Sequence, residues 1–183
     1  MPRPVILVPY NPDWPRMAAE YAERLQQLGS VLIAVHHIGS TSVRRLAAKP
    51  IIDLMPVVTS LADLDGQRRI VEALGYWWRG EFGLPGRRYC SLDDESGVRL
   101  TQLHFFAADS PEVERHIAFR DYLRAHPETS RAYEEEKRRA RDLHPDDTGA
   151  YTDEKDRWIR ETEKTALAWF AVQRRAGGAK ASS

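Results

Sequence analysis

The sequence predicts a mixed α/β fold, with a sheet and helices over residues 1–108 and a helical layer over residues 109–172. Two observations carry this. Short β-branched, apolar runs alternate with segments of helical period up to Ala107, and after Ala107 the period is helical throughout. The strands are few and irregularly connected, which argues for a mixed sheet over a doubly wound one. One domain accounts for residues 1–172, and the Arg/Gly/Ala/Ser-rich tail from Gln173 to Ser183 reads as disordered.

Residues 1–12 are Pro-rich and read as extended. Asp13 can cap a helix entered through Trp14-Pro15, in which Met17, Tyr21, Leu25 and Leu28 repeat at helical spacing until Gly29. Val31 to Ile38 is β-branched and apolar, a strand. Gly39 to Leu46 reads as a turn into a short helix, and Pro50 to Val58 as a second strand. Ser60 caps a helix that Gly75 closes, with Asp63 in its first turn. Tyr76 to Arg79 is a strand, and residues 80–86 are a Gly/Pro loop. Arg87 to Leu92 and Val98 to Ala107 flank Asp93-Asp94-Glu95-Ser96-Gly97 as a hairpin. Ser110-Pro111-Glu112 starts a helix reaching Ala125, a second spans about Glu128 to Leu143, and a third about Asp147 to Val172.

Composition narrows the classes. Twenty-seven Lys+Arg balance 27 Asp+Glu, so no global basic field points to nucleic acid, and any anion site must be local. The one cysteine, Cys90, excludes an internal disulfide framework and a multi-cysteine zinc site, and fits a reducing cytoplasm. No segment has the roughly 20 apolar residues of a membrane helix, and the N-terminal apolar run is too short and too proline-rich for a signal peptide.

The informative stretch is His37-Ile38-Gly39-Ser40-Thr41-Ser42, followed by Lys49-Pro50-Ile51-Ile52-Asp53-Leu54-Met55. A glycine permits close backbone approach, and the hydroxyls of Ser40, Thr41 and Ser42 add donors for phosphate. The competing reading is an ordinary strand-to-helix turn with a hydroxyl cap. Asp53 is a carboxylate inside an apolar strand and needs a partner: a metal ion, a ligand, or Lys49. Alternation puts Ile51, Asp53, Met55 and Val57 on one face. The place of a second metal-binding acid is thus taken by Met55. Mg²⁺ can sit on one carboxylate together with substrate phosphates; a Lys49–Asp53 ion pair at a strand end fits equally.

Other candidates have plainer alternatives. Arg87 and Arg88 can reach phosphates from the end of the Gly/Pro loop, or be solvated. His104 and His37 lie in apolar strand settings, where a hydrogen-bonded structural role is the ordinary one. Tyr133 with Lys137, and Tyr151 with Lys155, are i,i+4 pairs that read as lysine stems packed on surface rings. The Glu134–Arg139 run reads as a solvated helical face, Trp77, Trp78, Trp158 and Trp169 as core, and Cys90 as a packing residue.

The run from His37 to Val43, with Leu46-Ala47-Ala48-Lys49-Pro50-Ile51-Ile52-Asp53, resembles the GrpB family. Tyr10 with Trp14-Pro15, Gly75-Tyr76, Leu103-His104, Phe119 to Arg124 and the two Tyr/Lys pairs extend the likeness over almost the whole chain. The resemblance implies a nucleotidyltransferase-like core. Gly39 and Ser40 would then be phosphate-turn residues and Asp53 the acid for Mg²⁺, with Lys49 and His104 in the motif. Some members of the family are fused to dephospho-CoA kinase, whose P-loop is absent here. Three departures stand out: Arg44-Arg45 in place of a usual Pro-Gly, Gln102 in place of one His of a His-x-His pair, and Met55 in place of an acid.

The expected function is binding of a nucleoside triphosphate or another phosphometabolite. Gly39, Ser40, Thr41, Ser42, Lys49, Arg87, Arg88 and His104 would contact phosphate. Mg²⁺ on Asp53, aided by Lys49, would allow nucleotidyl transfer to an acceptor. The alternative is a non-catalytic binding module that kept the turn and lost the acids; a Lys49–Asp53 pair that merely stabilises a strand end is a third.

Overall fold

The computed structural model describes residues 4–180, with side chains up to residue 176. The elements, in chain order, are α1 (Trp14–Arg24), β1 (Leu32–Ile38), β2 (Ile52–Val58), α2 (Leu61–Gly66), α3 (Arg68–Ala73), β3 (Trp77–Trp78), β4 (Arg88–Asp93), β5 (Arg99–Ala107), α4 (Pro111–Ala125), α5 (Pro127–Leu143) and α6 (Thr148–Lys180). Short 3-10 turns follow α1 (Leu25–Val31) and β1 (Ser40–Ser42).

The sheet is mixed, in the order β1-β2-β5-β4-β3. Strand β2 runs antiparallel to β1 and parallel to β5, while β4 is antiparallel to β5 and β3. The parallel pair arises because α2, α3, β3 and β4 all intervene between β2 and β5, giving the chain room to cross over. One sheet face packs Ile52, Leu54, Val58, Leu103 and Phe105 against α1, α2 and α3. The other packs Ile38, Met55, Val57 and Phe106 against Val113 and Ile117 of α4. A further cluster ties Val43 and Leu46, just after the Ser40–Ser42 turn, to Leu123 of α4 and Tyr133 of α5. The helical layer therefore covers the end of β1 and the start of β2.

Several expectations are corrected. The single helix after Ser60 is two short ones, broken at Gln67, although Ser60 does accept from Asp63 N as a cap. Asp13 makes no side-chain cap bond; its own N–H donates to Asn11 Oδ1. The Gly39–Leu46 segment contains one 3-10 turn and no α-helix. Trp77 is 63% exposed, because its two-residue edge strand leaves that side uncovered. The last helix continues past Val172 to Lys180, so residues 173–180 are helical; Ala171, Ala176 and the arginines between favour helix continuation. Residues 181–183 of the expected tail lie outside the described residues.

Candidate phosphate site at the Gly39 turn

The antiparallel register sets Ile38 opposite Asp53, so Gly39 and the Asp53 carboxylate meet at the end of the β1–β2 ladder. Gly39 has φ +69°, and a Cβ built there would lie 2.6 Å from Asp53 Oδ2. Glycine is thus required twice, by its backbone conformation and by the carboxylate pressed against it. The backbone then turns through Ser40–Ser42. The Ser42 hydroxyl donates to Gly39 O at 2.6 Å, and the Ser42 and Val43 N–H groups close the 3-10 turn. His37 Nε2 lies 2.9 Å from Thr41 Oγ1, tying the turn back to its own strand. Burial pushes the His37 imidazole down to about 4, so it is neutral at pH 7.

Two helices complete the site. Lys137 of α5 donates to Ser40 Oγ at 3.2 Å and to Ala47 O, and its ammonium lies 4.8 Å from the Tyr133 ring centroid. Lys155 of α6 lies 4.1 Å from the Tyr151 ring centroid, and Lys49 approaches the same ring at 5.3 Å. The i,i+4 spacing gives each helix a ring and an ammonium on one face. Lys137 and Lys155 are only 1% and 8% exposed. Desolvation, then mutual repulsion with Lys155, pushes Lys137 down to about 7. Desolvation and the charge of Lys49 push Lys155 down to about 8, against the pull of Asp53 and Glu136. Lys49 is lowered by burial as well, with Asp53 opposing. Burial pushes the Tyr133 phenol up to about 12, so it remains a neutral donor.

On the sheet floor, His104 Nε2 stands 3.5 Å from Asp53 Oδ1. Gln102 is the register partner of Asp53 on β5, and Tyr89 is that of His104 on β4. Tyr89 packs edge-on to His104 at 5.4 Å and receives a bond from Arg99 at 3.0 Å.

The expected residues divide. Gly39, Ser40, Asp53, Lys49 and His104 surround one turn, with Thr41 and Ser42 forming its inner hydrogen bonds. No ion pair joins Lys49 to Asp53 among the described residues. Arg88 is elsewhere, donating twice to Asp65 at 2.7 Å. Arg87 is tied to Glu81 O and Phe82 O and packs on Tyr89. Both are bound to their own loop or to α2 because the Gly/Pro loop folds back on the strand. The Tyr133/Lys137 and Tyr151/Lys155 pairs are buried site residues, not surface packing. Glu134, read as part of a solvated face, accepts from Ala47 N at 2.9 Å.

Magnesium has one protein carboxylate to bind here. Met55, two residues on, is fully buried in the apolar cluster with Ile38, Val57 and Phe106. No three His, Cys, Asp or Glu side chains gather as a metal-binding group among the described residues. The donor set fits one ion shared between Asp53 and a ligand's phosphates; it does not fit a pair of ions held by two acids.

A sequence profile described as GrpB protein matches residues 4–165. The chain belongs to the GrpB family. It is 38% identical to the UPF0157 protein YqkA of Bacillus subtilis over 96% of its own length and spans only 51% of that protein. It is 32% identical to the glutamate-rich protein GrpB of Alkalihalophilus pseudofirmus, covering 86% of this chain and 92% of that one. The crystal structure of the conserved protein GrpB from Enterococcus faecalis superposes with a TM-score of 0.84 at 39% identity, over 90% of this chain and 99% of that chain. A structure of Cid1 in complex with its short product ApU gives a TM-score of 0.50 at 9% identity, over 70% of this chain and 41% of that one. That likeness shows a nucleotidyltransferase-like fold. GrpB membership also bears on Arg44-Arg45: Arg45 has φ +66°, a left-handed position that suits glycine. Among the described residues no helix is long and apolar enough to cross a membrane.

Proposed function

We propose that this GrpB chain binds a phosphorylated small molecule, a nucleoside triphosphate or another phosphometabolite, with its phosphates between the Gly39 turn and the lysines of α5 and α6. One observation carries the reading: Lys49, Lys137 and Lys155 converge on Ser40 and Asp53 while largely withdrawn from water. Three ammoniums beside one carboxylate are costly to bury. Their natural complement is a compact anion, and a phosphate chain supplies both charge and acceptor oxygens. Glu134 and Glu136 offset part of this charge, but each is also paired with an arginine, Arg138 and Arg139, at 2.7 Å.

Magnesium enters this reading as an ion carried by the ligand's phosphates, with Asp53 as its protein ligand; there it would neutralise phosphate charge. A second reading, nucleotidyl transfer to an acceptor, is favoured by the Asp53 carboxylate lying against the turn. In that reading Asp53 would hold the ion while Lys49 and the two helical lysines draw charge from the phosphates. The chain is taken to be cytoplasmic, in keeping with its free, buried Cys90.

Thermal denaturation with nucleoside triphosphates, diphosphates and inorganic triphosphate, with and without Mg²⁺, tests the binding reading. A ligand-dependent rise in Tm that is lost in Lys137→Met and kept in Arg88→Ala is expected. Equal shifts in both variants, or none in the wild type, would overturn it. Release of pyrophosphate by wild type and not by Asp53→Ala would add transfer to binding; identical background in both leaves binding alone.

A further inference from the structure

Beside the turn, with neither Lys137 nor Asp53 in its lining, lies a groove of about 1600 Å³ between α1, the 42–46 segment and the α4–α5 junction. Six arginines line it, Arg16, Arg44, Arg45, Arg124, Arg131 and Arg138, against two carboxylates, Glu134 and Glu135. Some of these cations are engaged. Arg16 pairs with Glu20 at 2.5 Å, Arg138 with Glu134 at 2.7 Å, and Arg124 donates to Ser42 O at 2.9 and 3.0 Å. Arg44, Arg45 and Arg131 are exposed and form no ion pair among the described residues.

Between the arginines the groove presents the Tyr10 ring and the exposed Pro12, Pro15 and Pro127, together with the polar His37, Ser42 and Ser130. A bare phosphate chain has no use for the ring and the prolines. A single nucleotide would leave most of the volume empty, since pockets for small ligands run to roughly 300–1,000 Å³. A strand of nucleotides uses both features: phosphodiesters meet guanidinium groups, and planar bases lie on apolar or aromatic side chains. The zero net charge of the chain does not oppose this, because the groove itself holds six arginines against two carboxylates.

We propose that this arginine-lined groove binds single-stranded nucleic acid, at a site whose lining shares neither Ser40 and Asp53 nor the buried lysines Lys137 and Lys155 with the phosphate site. The Arg45 backbone supports the assignment. Its φ of +66° costs energy where a glycine would not, and strain of this kind persists at positions that carry function.

The test is fluorescence anisotropy of a labelled single strand of roughly 15 nucleotides, titrated with the full chain at several salt concentrations. Saturable binding is expected, with log K falling as log salt rises at a slope near −2 to −3, about 0.7 for each of three to four phosphates neutralised. The Arg44→Glu/Arg131→Glu variant should bind at least about tenfold more weakly. Arg45→Gly should bind about threefold more weakly without loss of folding stability, which separates lost charge from lost fold. Arg88 is held by Asp65 outside the groove lining, so Arg88→Ala should bind the strand as the wild type does. The strand titration is read separately from the Tm shifts with triphosphate, so failure here and failure at the phosphate site are distinguishable. No saturation by roughly 100 µM protein, or equal binding by the arginine variants, overturns the proposal. Displacement by inorganic polyphosphate as effective, charge for charge, as by unlabelled strand would also overturn it, because the groove would then read charge alone.

Discussion

The segment from Gly39 to Ala48 borders two cationic regions that differ in residue type and in burial. In one, Lys137 and Lys155 are almost wholly buried, each beside a tyrosine ring. In the other, Arg44, Arg45 and Arg131 face an open groove. Desolvation lowers the lysines until they titrate near neutrality, whereas a guanidinium stays charged in either setting. The buried side therefore suits one compact, highly charged guest. The open side suits an extended one gripped at several points. The turn joins them mechanically: Lys137 holds Ser40 and Ala47, and Arg124 holds Ser42.

The largest expected effect breaks the partition itself. Gly39→Ala places a methyl 2.6 Å from Asp53 Oδ2 at a φ of +69°. Strain from both sources should cost about 2–3 kcal/mol of stability in urea denaturation. Adding Asp53→Ala should return the steric share and leave the backbone share, so the two substitutions are non-additive. Additive losses would mean that the close approach of carboxylate and turn does not shape the site.

Next is the buried side alone. Lys137→Met removes a charge-assisted donor to a bound anion, a loss of about 1.5–3 kcal/mol, or roughly 10- to 150-fold in affinity for inorganic triphosphate. Arg131→Met should leave that affinity unchanged. Titration calorimetry on both variants checks this; equal losses would dissolve the distinction between the two regions.

The framework of this arrangement was legible in the sequence, and its lining was not. Strand alternation located β2, and the odd acid in it marked Asp53; a strand followed by Gly-Ser marked the turn. Both signals are local. The lysines are separated from Ser40 by 97 and 115 residues, the second being 155 less 40, so nothing in their neighbourhood indicates which way they face. An i,i+4 Tyr/Lys pair has the same spacing on a solvated helix as in a buried site. Two such pairs, one on each of two successive helices, were the available signal. Arg87 and Arg88 failed in the opposite sense. A Gly/Pro loop before a strand looks free to aim its cations outward, but Asp65 and the loop carbonyls capture them. Met55 was readable as a missing acid, while its role as a core side chain against α4 required the helical layer.

A pH series sharpens the contrast without any mutation. Lys137 and Lys155 are depressed to about 7 and about 8 in the folded chain, against 10.5 as the ordinary value. The unfolded chain therefore holds more protons on them through the interval from pH 7 to about 10.5, and this contribution to apo stability rises with pH there. Anion binding needs the protonated forms and changes in the opposite direction. Sulfate keeps its charge across this range, so its affinity should fall by up to about tenfold per pH unit above the folded values. The neighbours that tune this are Lys49, Asp53, Glu134, Glu136 and Arg138. A sulfate affinity constant from pH 6.5 to 9 would place the bound anion away from these lysines. Oligonucleotide binding in the arginine groove should vary little over the same range.

The smallest expected effect lies on the open side. Arg45 has φ +66°, and its side chain is exposed with no ion pair among the described residues to recover that cost. Arg45→Gly relieves the strain and should stabilise the folded chain by about 1 kcal/mol, even though glycine raises the entropy of the unfolded state. Arg44→Gly, one residue earlier and not at positive φ, meets only the entropic penalty and should destabilise by roughly 0.5–1 kcal/mol. Chemical denaturation of the pair checks the sign. Opposite signs at adjacent exposed arginines would show that residue 45 holds its charge against the preference of its own backbone, a cost that residue 44 does not carry.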